Sequence, residues 1–139
     1  MRYWDASALV PLCVAQPTSA ALRRLAPAGI VTWCLSAVEI SSAIERRRRE
    51  GSLSATDRDD ALTNLRELAT AWTEVSALAV VRERACRLLA THALRAADSL
   101  QLAAAVIAAN DRPSGHGFVA ADNQLNDAAR KEGFHLVAF

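Results

Sequence analysis

Four acidic residues stand in surroundings that suit a surface carboxylate poorly. Asp5 follows Tyr3-Trp4 and precedes Ala-Ser-Ala-Leu-Val; Glu39 lies between Val38 and Ile40; Asp98 precedes a long apolar run; Asp122 closes Phe118-Val119-Ala120-Ala121. A carboxylate among small and apolar residues is costly unless it is paired, hydrogen-bonded or bound to a cation. At helical spacing the same-face neighbours of Glu39 are Leu35, Ser36, Ser42 and Ala43, none of them basic. Four carboxylates brought together do not all ionise comfortably without a cation between them. Oxygen-only ligands select hard ions, which favours Mg²⁺ or Mn²⁺ over zinc. Such an ion could activate a water and stabilise charge developing on a phosphoryl oxygen, the chemistry of phosphodiester cleavage.

Each acid also has a purely structural explanation. Asp98 and Gln101 have the form of a helix capping box, and Asp122 could cap a helix starting at Asn123. Asp5 could simply end a strand, and Glu39 could meet an arginine brought close by the fold. The remaining acids Glu45, Glu50, Asp57, Asp59, Asp60 and Glu67 lie in polar runs and read as solvated helix faces. What separates the four is that their positions along the chain are those a single metal site requires.

The elements that must position them follow from pattern and punctuation. Met1–Trp4 reads as a strand stopping at Asp5, after which Ser7 caps a helix through Leu9, Val10, Leu12 and Cys13. A second helix restarts at Pro17-Thr18 and closes at Pro27 and Gly29; Ile30–Trp33 is a strand, and Ser36 to Arg49 a helix stopped by Gly51. Ser54 opens the next helix with Asp57 in a capping-box spacing, and Leu62, Leu65 and Leu68 form its apolar stripe. A brief strand at Trp72–Val75 leads to helices at Ala77–His92 and Ala96–Asn110. A Pro/Gly-rich loop then runs to Gly117. Phe118–Ala121 is a strand, Asn123 to Glu132 a helix and His135–Phe139 a final strand. This alternation predicts an α/β fold: βα units around a mostly parallel sheet, with helices on both faces. In such sheets ligands bind beyond the carboxyl ends of the strands, where Asp5 and Asp122 stand.

Composition bounds the function. At 139 residues the chain reads as one domain spanning 1–139, with 52% apolar residues. Sixteen basic against fifteen acidic residues leave a net charge of +1, which excludes a protein gripping nucleic acid by bulk positive charge. Aromatics at 5% argue against base-stacking sheets. Cys13, Cys34 and Cys86 form no C-x-x-C pair and read as buried reduced thiols, consistent with a cytoplasmic protein. The longest apolar run, Leu102–Ala109, is far short of the roughly 20 residues that span a bilayer. Asp5 and Pro11 argue against reading Ala6–Ala15 as a signal-peptide core. His92, His116 and His135 are not spaced as a metal set, and His116, in a Gly-flanked loop, reads as a surface residue. Of the arginine run Arg46–Arg49, one or two residues could face a substrate phosphate, with Arg95, Arg23 and Arg24 as further candidates.

On these residues the chain resembles the PIN-domain ribonucleases, and within them the VapC-type toxins of toxin–antitoxin pairs. Tyr3-Trp4-Asp5-Ala6-Ser7-Ala8-Leu9-Val10 resembles the family's opening strand, acid and first helix. Leu35-Ser36-Ala37-Val38-Glu39 is similar to its second acidic motif, and Ala97-Asp98-Ser99-Leu100-Gln101-Leu102-Ala103 to its third. Val119-Ala120-Ala121-Asp122-Asn123-Gln124-Leu125, followed by Ala128-Ala129 and Gly133, is similar to its last. The resemblance runs along essentially the whole chain. It implies a three-layer α/β/α fold with a mostly parallel sheet of four to five strands and a Mg²⁺- or Mn²⁺-dependent endoribonuclease. It also implies inhibition by a VapB-type antitoxin, and a homodimer or toxin–antitoxin hetero-oligomer. Asp5, Glu39, Asp98 and Asp122 would form the acidic metal cluster, with Ser7 beside it and Arg46 and Arg95 in support. Two departures stand out: Gln124 occupies a position where many relatives carry another acid, and Gln16 one where many have Glu. The first leaves open a PIN-like module that binds RNA or a partner without efficient cutting. A phosphotransfer domain of receiver or haloacid-dehalogenase type is a third reading. It is disfavoured because position 7 is Ser rather than a second Asp, and because the single lysine, Lys131, lies inside the last helix.

Overall fold

A computed structural model describes all residues, 1–139. Five strands, β1 (Arg2–Trp4), β2 (Val31–Trp33), β3 (Thr73–Val75), β4 (Gly117–Val119) and β5 (His135–Leu136), form one sheet in the order β3-β2-β1-β4-β5. Every pairing is parallel, with Tyr3 opposite Val31 on one side of β1 and Phe118 on the other. The expected mostly parallel sheet is thus wholly parallel and has five strands.

Seven helices connect them: α1 (Ala6–Cys13), α2 (Ser19–Leu25), α3 (Ser36–Arg49), α4 (Ala55–Ala69), α5 (Leu78–Leu89), α6 (Ala96–Ala108) and α7 (Asn123–Glu132). They sort into two layers by what they bury. Leu9, Leu22, Ile40, Ile44 and Leu65 of α1–α4 pack with Trp4 and Val119, whereas Val81, Leu88, Leu102 and Leu125 of α5–α7 pack with Tyr3, Trp33 and Phe118. Consecutive strand residues therefore serve opposite cores, as the two-residue period of a strand requires. The result is a three-layer α/β/α arrangement. The apolar run of α6 is buried almost throughout, from Leu102 to Val106, because the helix lies between the sheet and α5.

Caps set the boundaries. Ser54 Oγ accepts from Asp57 N at 3.0 Å, and α7 is capped by Asp122 and closed by Gly133 at φ 105°. Gly117 has a different reason to be glycine: a Cβ there would lie 2.9 Å from the Val137 side chain and 3.2 Å from that of Arg2. Two expected caps are corrected. The cap of α1 is Asp5, whose extended backbone (φ −72°, ψ 153°) precedes the first helical residue, and Ser7 lies inside the first turn. The cap position of α6 is Arg95 and has no side-chain bond, so Asp98 and Gln101 do not form a capping box. The last helix of the β3–β4 crossover and its neighbour are also shorter than expected, α5 ending at Leu89. Strand β5 covers only His135–Leu136 of the expected His135–Phe139.

The thiols are not uniformly buried: Cys13 is, Cys34 is half-buried and Cys86 is exposed, since α5 turns it away from the core-facing Val81, Ala85 and Leu88. His92 Nε2 lies 2.6 Å from Glu132 Oε1. No helix is long and apolar enough to cross a membrane.

Candidate functional site

The chain order reverses between β1 and β4: β2 and β3 are laid down on one side of β1, β4 and β5 on the other. Parallel sheets leave a crevice beyond the strand ends at such a switch point. Asp5 directly follows β1, and Asp122 follows β4 by three residues. Helix α3 contributes Glu39 from its first turn and α6 contributes Asp98 from its own. Glu39, Asp98 and Asp122 line a common cleft of about 620 Å³, together with Ser42, Arg46, Arg95 and Gln124. Asp5 does not reach the cleft surface; it is only 4% exposed.

Asp5 is held from two sides. Its Oδ2 accepts from the Ser7 amide at 2.9 Å and from the Ser7 hydroxyl at 2.5 Å, and Ser7 Oγ in turn accepts from the Ala121 amide at 2.9 Å. The Ser7 hydroxyl thus ties the end of β1 to the segment following β4. Burial nevertheless pushes the Asp5 carboxyl above its ordinary value; the Ser7 bonds oppose this, and the Asp98 charge adds to it. Glu39 is pushed up to about 7, by burial first and by the Asp5 charge second, against one opposing bond from Gln101. Asp98 is raised by burial and by Asp122, with Arg95 pulling the other way. In all three acids burial is the leading cause and a neighbouring carboxylate adds to it.

Asp122 is exposed and does two things at once. Its Oδ1 accepts from Leu125 N at 2.7 Å, so the capping role is real, and the residue also faces the cleft. Glu39 meets no arginine. Its Oε1 accepts from Gln101 Nε2 at 2.9 Å. Of the arginine run only Arg46 lines the cleft, and Arg95 faces it from the α6 side. Arg23 and Arg24 lie exposed on α2 and do not line it. Gln124 lines the cleft while its Nε2 donates to the Ala93 carbonyl at 2.6 Å.

The donor set is oxygen only, with two arginines at its rim, and suits a hard divalent cation. As folded, no three Asp, Glu, His or Cys side chains close around one ion-sized point. The carboxylates of Glu39, Asp98 and Asp122 share a cleft.

Sequence reasoning missed Gln101. The signal was present: a Gln between Leu100 and Leu102, at the head of the apolar run Leu102–Ala109, falls at a position where an amide is buried and must find partners.

The chain matches no protein-family model and no curated protein sequence.

Proposed function

We propose that this chain is a Mg²⁺- or Mn²⁺-dependent endoribonuclease of the PIN type, acting as the toxin of a toxin–antitoxin pair. The observation that carries the nuclease reading is the set Asp5, Glu39 and Asp98. These acids gather at the switch point of a parallel sheet and are held above their ordinary protonation range, with no side-chain cation bonded to any of them.

Glu39, Asp98 and Asp122 would hold the ion from the cleft wall, and Asp5 from beneath. An ion bound there supplies a Lewis acid for the phosphoryl oxygen and a more acidic water. Ser7 keeps the Asp5 carboxylate at the end of β1 and so fixes the side from which it acts. Arg46 and Arg95 stand where they can neutralise RNA phosphates flanking the scissile one, which orients the strand without reading its sequence. No histidine is needed for proton transfer.

The toxin role, the VapB-type antitoxin and a homodimer or hetero-oligomer rest on the sequence resemblance. Their structural support is exposed apolar surface beside the cleft: Val38, 64% exposed on its wall, and Leu35, 42% exposed just before α3. An antitoxin segment covering these residues would also block the cleft.

The test is RNA cleavage by the purified chain with Mn²⁺, with Mg²⁺ and with chelator, followed by mapping of the cut ends. Metal-dependent cuts that vanish in Asp5→Asn support the nuclease; undiminished cleavage in a folded Asp5→Asn protein rejects it. A module that binds RNA or a partner without efficient cutting is the second reading, favoured by Gln124 at the cleft. RNA binding with no metal-dependent turnover would select it.

A further inference from the structure

Glu39 is the one cleft acid whose orientation is fixed by a chain of fully buried side chains. Gln101 uses both sides of its amide. Its Nε2 donates to Glu39 Oε1 at 2.9 Å and to Ser36 Oγ at 2.9 Å, and its Oε1 accepts from the Tyr3 hydroxyl at 2.6 Å. Ser36 Oγ lies 2.7 Å from Thr32 Oγ1, and Thr32 donates to the Trp4 carbonyl at 2.7 Å. Tyr3, Thr32, Ser36 and Gln101 are each 0% exposed.

Only one assignment of protons satisfies every link. The single Thr32 proton goes to the Trp4 carbonyl, so Ser36 donates to Thr32 and its lone pairs are left for Gln101 Nε2. The other N–H of that nitrogen then serves Glu39, and the Tyr3 proton serves the amide oxygen. Turning the amide over would aim its oxygen at the Glu39 carboxylate and leave Ser36 without a donor. In water a glutamine amide presents either end; here the fold decides which.

We infer that Gln101 is a positioning residue for Glu39: its amide, locked in orientation by the Tyr3 hydroxyl, holds one carboxylate oxygen and leaves the other for a metal ion in the cleft. The network joins β1 (Tyr3), β2 (Thr32), α3 (Ser36, Glu39) and α6 (Gln101), so it also sets the distance across which Glu39 and Asp98 must cooperate. The inference rests on reading Glu39 as a metal ligand. It adds that the ligand geometry depends on a residue that touches neither metal nor RNA.

The experiment is calorimetric titration of Mn²⁺ alone into the full chain, without RNA, for wild type, Gln101→Met, Tyr3→Phe and the double variant, each checked for a cooperative melt. Losing the partner that orients a ligand is expected to weaken Mn²⁺ affinity about tenfold in Gln101→Met. Tyr3→Phe removes only the lock, and a loss of about threefold is expected. The double variant should bind no more weakly than Gln101→Met alone, because Tyr3 acts through the amide; a merely structural role for either residue would not produce that coupling. Should Gln101→Met fail to fold, Tyr3→Phe decides alone. Wild-type binding matched by undiminished affinity in the folded variants overturns the positioning role and leaves the metal site standing. Additive losses overturn the lock. A wild type that takes up no Mn²⁺ overturns the metal-site reading itself, and this inference with it.

Discussion

Two groups of acids, one confined to α3 and α4 and the other spread over both helix layers, behave in opposite ways. Glu45, in the middle of α3, meets Arg58 of α4 at 2.5 Å, and Arg58 also reaches Asp59 at 2.9 Å. Glu39, six residues earlier on α3, has no cation partner, and neither have Asp5, Asp98 or Asp122. All five ion pairs of the chain lie elsewhere, the others joining Arg84 to Asp111, His92 to Glu132 and Arg130 to Asp127. With fifteen arginines in the chain, a shortage of bases does not explain this. Glu45, Asp59, Asp111, Asp127 and Glu132 each sit beside a base, whereas Glu50, Asp57, Asp60, Glu67, Glu74 and Glu83 have none and are exposed to water. At the strand ends the fold gathers acids and holds the nearest arginines, Arg46 and Arg95, at the rim. What sets Asp5, Glu39 and Asp98 apart from the other unpaired acids is that they are withdrawn from water without a base beside them.

The sharpest way to break the comparison is to neutralise one acid from each group. A metal ion at a reacting phosphoryl oxygen is worth several kcal/mol, so Asp98→Asn should lower the RNA cleavage rate by roughly 100-fold or more. Glu45→Gln, read in the same gel assay, should leave the rate within about twofold, since an exposed pair contributes little. Equal losses would erase the distinction.

Proton linkage gives the next largest effect. Glu39 binds its proton more tightly in the folded chain (about 7) than in the unfolded one (near 4.5), so between these values the folded state carries more protons. The contribution of Glu39 to the stability of the metal-free protein is therefore complete below that window and is lost as pH rises through it, which should lower the melting temperature. The raised Asp5 and Asp98 push in the same direction. Thermal melts across this range should show a shallower fall in Glu39→Gln. Mn²⁺ at about 100 times its dissociation constant should restore about 2.7 kcal/mol above the window.

Smaller effects sharpen the picture. Ser7→Ala removes the hydroxyl bond to Asp5, leaving only the backbone amide, and cuts the link to Ala121; it should weaken Mn²⁺ affinity about tenfold by titration. Arg46→Ala should raise the KM for RNA about threefold with kcat little changed, the mark of a phosphate contact that binds ground and transition states alike. Arg58→Ala, at the opposite pole of the comparison, should lower the melting temperature by at most about 3 °C and leave cleavage untouched.

Much of the fold was legible because short-range rules wrote it. The α3 and α7 boundaries, Ser36 to Arg49 and Asn123 to Glu132, match the pattern reading residue for residue, since caps, Gly51 and Gly133 are local signals. The ends of the edge strands were not legible. Whether Val137 and Phe139 extend β5 depends on the neighbour they would pair with, not on their own type. The sequence picked out four acids, of which the fold brings Glu39, Asp98 and Asp122 to one cleft and buries Asp5, and it misread their supports. Ser7 and Gln101 both looked like cap residues, because a cap spacing is a local pattern that a buried long-range bond can override. Gln101 instead reaches 98 residues back to Tyr3 and 62 back to Glu39.

By itself, the sequence determined which carboxylates are anomalous, because an acid among small and apolar residues is costly wherever the chain goes. It also determined the parallel α/β frame, because strand and helix periods alternate. Only the tertiary structure decided that Asp5 lies beneath the cleft rather than on its wall, that Arg46 alone of its run faces in, and that Gln101 rather than an arginine meets Glu39. These outcomes depend on where four separate elements cross, and a crossing is set by how two buried faces pack, which no single segment encodes.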